Sequence, residues 1–248
     1  MNILVTTDDG ILAPALRALR AELASLGRVV IVAPDRDQSA TSHSLTLHRP
    51  FRIHRHDVDI YSVDGTPTDC VVCAFYGLLD QTPDMVISGI NHGPNMGEDV
   101  FYSGTVAAAI EGTLQGAPSI AASLVTRELT DFLEPADFVA RLARTVAERG
   151  LPKRRLLNVN LPHLPWDAIE GVQVTRLGSR VYRDTLIRKV DPRGRDYYWI
   201  GGEDAVWDPR PGTDFQAVHE GWISVTPLRL DLTDDGALDD VRGWKLEK

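Results

Sequence analysis

Four short stretches hold the side chains that could do chemistry. Thr6-Thr7-Asp8-Asp9-Gly10, Pro34-Asp35-Arg36-Asp37-Gln38-Ser39 and Ser88-Gly89-Ile90-Asn91-His92-Gly93-Pro94-Asn95 each run on from a short apolar segment. Tyr102-Ser103-Gly104-Thr105 opens an alanine-rich one. The first three supply two adjacent carboxylates, a hydroxyl and an amide carbonyl. These are hard oxygen donors, suited to Mg²⁺, Mn²⁺ or Ca²⁺ rather than zinc. Adjacent Asp8 and Asp9 repel each other unless a cation or a proton compensates. A Ser-Gly-Thr helix start leaves backbone N–H groups and two hydroxyls at a positive helix end, a ready site for phosphate. A cation beside such a site has a joint meaning. The cation polarises one phosphoryl oxygen while the amides hold the others, which is the arrangement for phosphate-ester hydrolysis. Taken singly, each piece also has a plain structural reading. An aspartate after a strand is a turn or helix cap, Asp-Gly is a turn signal, a loop Ser or Asn bonds locally, and Ser103 is a simple N-cap.

The spacing of apolar residues supplies the frame. Asn2–Thr6, Val29–Ala33, Met85–Ser88, Ile120–Leu124 and Arg155–Asn160 read as buried strands, continuous enough for a parallel sheet covered on both faces. Leu12, Leu16, Leu19, Leu23 and Leu26 recur at helical spacing, with Pro14 in the first turn and Gly27 at the end. Thr66, Pro67 and Asp69 open a second helix, Ser103–Gln115 forms a third that packs small residues on the sheet, and Pro135–Glu148 a fourth. Leu45–Ile53 and Val58–Val63 are expected as further strands. The alternation implies a doubly wound, mostly parallel α/β sheet with right-handed crossovers. Ligands bind such sheets outside the carboxyl ends of the strands, where the first three loops converge. After it come Val172–Leu177, Val181–Val190 and Asp196–Ile200, separated by turn residues, which read as β-hairpins off the core. We expect one domain: core to about 178, an arm over about 179–202 and a C-terminal segment over about 203–248.

Composition narrows the class. The 248 residues carry 26 Lys+Arg against 35 Asp+Glu, a formal charge of −9, which argues against bulk binding of a nucleic-acid polymer but allows single nucleotides. Cys70 and Cys73 have apolar flanks and no second pair to complete a zinc site, so they read as small buried residues on a helix. Free thiols fit a reducing compartment, the N-terminus lacks a basic leader, and no apolar stretch reaches the length of about 18 residues that a membrane span requires. We therefore expect a cytoplasmic protein. No Gly-x-Gly-x-x-Gly follows the first strand, and there is no Gly-Lys-Ser/Thr, Gly-x-Ser-x-Gly, Ser-x-x-Lys or His-Glu-x-x-His. A phosphoacceptor receiver domain would need an Asp after the third core strand, where Asn91 stands. His54, His56, Asp57 and Asp59 read as solvated hairpin residues, and the acidic run Asp234, Asp235, Asp239 and Asp240 as helix N-terminal acids.

The segments TTDDGI, VVIVAPDRDQSATSHSLTLHRP, VDGTPTDCV, SGINHGPNMGEDVFYSGTVAAAIEG, NVNLP, DPRGRDYYWIGG and ISVTPL together resemble the SurE family of survival proteins, divalent-metal-dependent 5′/3′-nucleotidases. The resemblance implies a Rossmann-like core with a β-hairpin arm and a C-terminal segment used in oligomer contacts. It implies one divalent ion per subunit, Mg²⁺ or Mn²⁺ with Ca²⁺ also able to occupy the site, on Asp8, Asp9, Ser39 and Asn91. It places Ser103, Gly104 and Thr105 at the phosphate, with Asn95 nearby. It further implies nucleoside monophosphates as substrates, short polyphosphate as an additional one, and homodimers or homotetramers. Tyr197, Tyr198 and Trp199 on the arm fit an interface. Asp8 is the expected nucleophile or base, Asp9 chiefly a ligand, and His43 a candidate proton donor to the leaving oxygen. One departure stands out: Thr7 occupies a position where the family usually has Asn. The competing reading is a nucleotide-binding oligomeric scaffold silenced by that change.

Overall fold

Strand β1 (Asn2–Thr6) alternates Ile3 and Val5 on one face with Leu4 on the other, and all three are fully buried. A strand apolar on both faces has to lie inside a sheet with helices above and below. The computed structural model describes residues 1–126, 128, 130–181, 185–201, 206–207, 210–244 and 246, and in it β1 is flanked on both sides by parallel neighbours. In chain order follow α1 (Pro14–Leu23), β2 (Arg28–Pro34), β3 (Ile53–Asp57), β4 (Ile60–Val63), α2 (Pro67–Cys73), β5 (Met85–His92), α3 (Gly104–Leu114), β6 (Ser119–Val125), α4 (Leu133–Arg149) and β7 (Arg155–Pro162). Then come β8 (Gly171–Val174), β9 (Arg180–Val181), β10 (Thr185–Val190), β11 (Asp196–Gly201), β12 (Val206–Trp207), α5 (Asp214–His219), β13 (Trp222–Arg229) and α6 (Leu238–Gly243). Nine strands form one sheet in the order β3-β4-β2-β1-β5-β6-β7-β13-β8. The six from β4 to β7 run parallel, and β13 is antiparallel to β7. The chain winds one way from β1 to β2 and the other way from β1 to β5. The topological switch therefore falls between β1 and β5, where α/β sheets open a binding crevice.

The two faces are covered as the apolar spacing requires. Leu16, Leu19 and Leu23 of α1 and Val139 and Ala143 of α4 pack over Ile3, Val5, Ile87 and Val159. On the opposite face Cys70 and Val71 of α2 and Ala108 of α3 pack over Leu4, Val30 and Val86. The small residues of α3 serve close approach. A Cβ on Gly112 would come within 2.6 Å of Val86 Cγ2, so the helix backbone rests almost directly on the sheet.

Three expectations need correction. Leu12 is not on the α1 face but 88% exposed, because Pro14 fixes the first helical position two residues later. The strand expected over Leu45–Ile53 begins only at Ile53. Thr46 gives its N–H and hydroxyl to Asp69 at 3.0 and 2.6 Å, Arg49 pairs with Asp64 at 3.0 Å, and Pro50 has no N–H to donate to a ladder. Asp59, expected in solvent, is half-buried and paired with Arg28 at 2.5 Å. The β10–β11 hairpin is a separate two-stranded sheet, and β9 pairs with β12 in another. Residues 182–184, 202–205, 208–209, 245 and 247–248, within the expected arm and C-terminal segment, lie outside the described residues. Among the described residues no helix is long and apolar enough to cross a membrane.

Candidate active site

Asp8 leaves the carboxyl end of β1 with its side chain buried against the start of α3. Thr105 donates its hydroxyl to Asp8 Oδ1, and its backbone N–H also bonds the Asp8 carboxylate. Gly104 lies so close that a Cβ there would stand 2.9 Å from Asp8 Cβ and 3.0 Å from Oδ2. The aspartate loop and the helix N-terminus are thus one site. Ser103 caps α3 by accepting from the Val106 N–H at 3.0 Å, so its plain capping role is present as well. The helix end already faces one anion, the Asp8 carboxylate, as the helix dipole favours.

The other loops close on the same point. The Gln38 N–H donates to the Asp8 carbonyl at 2.8 Å and brings the β2 loop alongside. Gly10, at φ +86°, lets the backbone pass Arg36 where a Cβ would approach its carbonyl carbon to 2.9 Å. Ser39 is held through its N–H on Asp37 Oδ1 at 2.7 Å, with its residue exposed. The His92 N–H at the end of β5 donates to Asp9 Oδ2 at 3.0 Å. Asn91 Nδ2 donates to the Gly93 carbonyl at 2.8 Å, which fixes the side-chain amide. Asp8, Asp9 and Ser39 sit on loops at this strand edge, whereas Asn91, expected in a loop after Ser88, lies within β5, which runs on to His92 and pairs Asn91 with Ser123 of β6. Thr7 is buried, and its hydroxyl accepts from the Asp9 N–H at 3.3 Å, so the residue that departs from the family pattern still secures the second aspartate.

Asn95 is buried in a polar network that sequence reading did not single out. Its N–H donates to Asn160 Oδ1 at 2.9 Å and its Nδ2 to Ser123 Oγ at 2.8 Å. Its carbonyl accepts from Asn158 Nδ2 and Asn160 Nδ2 at 2.8 and 3.0 Å. The signal was visible as two asparagines on one face of an otherwise apolar core strand, Asn158-Val159-Asn160. His43 stands on the loop after Ser39, with Nε2 2.9 Å from Glu111 Oε2 of α3. It lines a cavity of about 840 Å³ together with Ser103.

Electrostatics at the site penalise the two ionised carboxylates, which a proton or a cation relieves. Burial pushes the Asp8 carboxyl up to about 6, opposed by the Thr105 hydroxyl and reinforced by the charge of Asp9. Asp9 is raised too, first by burial and then by Asp37, against its bond from His92. A divalent ion removes this penalty, and the donors present are the hard oxygens such an ion prefers. Among the described residues there is no cluster of three or more His, Cys, Asp or Glu, so a soft transition-metal cage has no counterpart here. Cys70 and Cys73 are free, and burial raises both thiols, Cys73 to about 11, so neither is a reactive thiolate at neutral pH.

The family model for survival protein SurE matches residues 3–184. The chain belongs to the SurE family. It is 51% identical over 247 residues to the 5′-nucleotidase SurE of Geobacter sulfurreducens, covering 99% of this chain and 94% of that one. It is also 51% identical over 247 residues to the 5′-nucleotidase SurE of Geotalea daltonii, covering 99% and 100%. The crystal structure of the SurE protein from Aquifex aeolicus superimposes with a TM-score of 0.89 at 44% identity, covering 99% of this chain and 100% of that one. The SurE relatives thus match through the core, the β10–β11 hairpin and the C-terminal strands alike.

Proposed function

We propose that this chain hydrolyses nucleoside 5′-monophosphates to nucleoside and phosphate, with the 3′-monophosphates and short polyphosphate as further substrates. The observation that carries the reading is the buried Asp8 carboxylate held against the N-terminus of α3 beside Asp9, in a chain about half identical to 5′-nucleotidases over its whole length. Asp8, Asp9, Ser39 and Asn91 would hold one divalent cation, Mg²⁺ or Mn²⁺. When bound, that ion supplies Lewis-acid charge at a phosphoryl oxygen.

The remaining work falls to the chain's own groups. The N–H groups of Ser103 and Gly104 and the Ser103 hydroxyl orient the phosphoryl oxygens, Thr105 keeps its hydroxyl and N–H on Asp8 beside them, and Asn95, on its buried network, keeps the neighbouring loop in place. Asp8 acts in the attack on phosphorus, either as the nucleophile or as the base that takes the proton of the water as its oxygen bonds to phosphorus. His43 gives a proton to the ribose oxygen as the phosphorus–oxygen ester bond breaks. By either route one water is consumed, its oxygen ending on phosphorus and a proton on the ribose oxygen, so the products are an alcohol and inorganic phosphate. The competing reading, a catalytically silent scaffold, rests on Thr7. That residue still holds the Asp9 amide, which speaks against loss of function through this change.

The exposed Tyr197, Tyr198, Trp199 and Ile200 of β11 and the C-terminal segment support self-association as a homodimer or homotetramer. The free, inert thiols suit a reducing cytoplasm. Asp8→Asn tests the chemistry: hydrolysis of AMP is expected to vanish while circular dichroism stays that of the wild type. Turnover at the wild-type rate in this variant overturns the assignment.

A further inference from the structure

Glu111 is the one charged residue of α3 and is only 7% exposed. A buried carboxylate is costly unless it is paired and hydrogen-bonded. Here both oxygens are used. Oε2 meets His43 Nε2 at 2.9 Å, and Oε1 accepts from Gln115 Nε2 at 2.7 Å. The bond to His43 is the main reason that the Glu111 carboxyl lies below the usual range, so it is ionised at neutral pH. The His43 side chain, by contrast, is 33% exposed. The pair is therefore anchored at the carboxylate and open at the ring.

We propose that Glu111 is a positioning residue for His43: it pins Nε2 and leaves Nδ1 to hand a proton to the leaving ribose oxygen. The proposal rests on the reading of His43 as the proton donor of the nucleotidase. In the step, the Nδ1–H bond breaks, the proton joins the ribose oxygen, and the phosphorus–oxygen bond breaks. Neutral His43 remains with its proton on Nε2, bonded to Glu111. This is the division of labour in any dyad where a buried acid orients an imidazole.

Two further observations bear on it. His43 and Ser103 line the same cavity, so the ring shares an opening with the first residue of the helix end proposed to hold the phosphate. And the loop bearing His43 has anchors of its own. The Ser42 N–H donates to the Tyr102 carbonyl at 3.1 Å and the Ser42 hydroxyl to the Phe101 carbonyl at 2.6 Å. The Thr66 hydroxyl donates to the Ser44 carbonyl at 2.8 Å, and Thr46 is tied to Asp69. A contact needed only to fasten the loop would duplicate these.

The test compares wild type, Glu111→Gln, Glu111→Asp and His43→Ala on two substrates. AMP has a poor leaving oxygen that needs the proton, whereas p-nitrophenyl phosphate has a good one that does not. Glu111→Gln keeps the shape and an acceptor but loses the charge. For AMP, kcat is expected to fall about tenfold to a hundredfold with KM within about twofold, and Glu111→Asp to recover part of it. For p-nitrophenyl phosphate the loss is expected to stay under about threefold, with the melting temperature unchanged. Equal losses on both substrates make Glu111 a structural residue and overturn the proposal, as does an unchanged kcat for AMP. Full AMP activity in His43→Ala removes the donor itself, while loss in Asp8→Asn leaves the nucleotidase reading standing. A wild-type enzyme inactive on every nucleotide is the separate failure of that reading.

Discussion

Asp8 shows how a single buried side chain carries an electrostatic cost within the fold. Its carboxyl is pushed up to about 6 by burial, above its value in an unfolded chain. The ionised form is thus penalised in the folded state, and stability falls as pH rises from about 4 through about 6. The full penalty, on the order of 3 kcal/mol, is present above that window in metal-free protein. With EDTA, the melting temperature is expected to rise when the pH is lowered from 7 towards 5. Asp8→Asn is expected to melt higher than wild type at pH 7 and to flatten this dependence, while losing hydrolysis. Differential scanning fluorimetry reads both. Identical melting curves for wild type and Asp8→Asn across the window contradict the electrostatic account. Saturating Mg²⁺ or Mn²⁺ should stabilise wild type far more than Asp8→Asn, since only binding to the folded state shifts the transition.

At the scale of elements, the site depends on α3 coming up against the end of β1. Gly104 is what permits this, so Gly104→Ala is expected to push a methyl group onto Asp8 and lower kcat by about tenfold or more, because displacements of about 1 Å at reacting groups are that costly. A steady-state assay checks it, and unchanged kcat contradicts the close approach. Behind the site, Asn160→Ala leaves the Asn95 N–H without its acceptor and is expected to cost about 1–3 kcal/mol in urea unfolding. A loss within experimental error would mean that the network is dispensable. These elements were unevenly legible in the sequence. Asp8, Asp9 and the Ser103 cap follow from acids and hydroxyls placed directly after apolar runs, a local pattern. Leu45–Arg52 looked like a strand because its apolar residues alternate, but the bonds that decide its shape go to Asp64 and Asp69, which no local rule reveals. Glu111 was invisible for the same reason: its meaning lies in a partner 68 residues away. Asn158 and Asn160 carried a readable anomaly, polar residues in a core strand, but not the identity of what they bind.

For the whole molecule, the parallel sheet was foreseeable from strands apolar on both faces, and the strand order then places the switch between β1 and β5, at Asp8 and Asn91. The hairpin is different. Trp199 is 61% exposed, and with Tyr198 and Ile200 it presents apolar surface that a lone chain leaves in water. Self-association through this arm predicts a particle of about twice or four times the 27.3 kDa chain mass by light scattering. Tyr198→Ser with Trp199→Ser and Ile200→Ser is expected to lower that mass while leaving the helix and sheet signal intact. A wild-type particle of one chain mass contradicts the assignment of the arm.

The measurement that bears most directly on the central claim is phosphate release from a panel of nucleoside 5′- and 3′-monophosphates with Mg²⁺, with Mn²⁺ and with EDTA. The proposed ligand set of Asp8, Asp9, Ser39 and Asn91 predicts release that requires a divalent ion and stops with EDTA. No release with any metal, or release that EDTA leaves untouched, would contradict it.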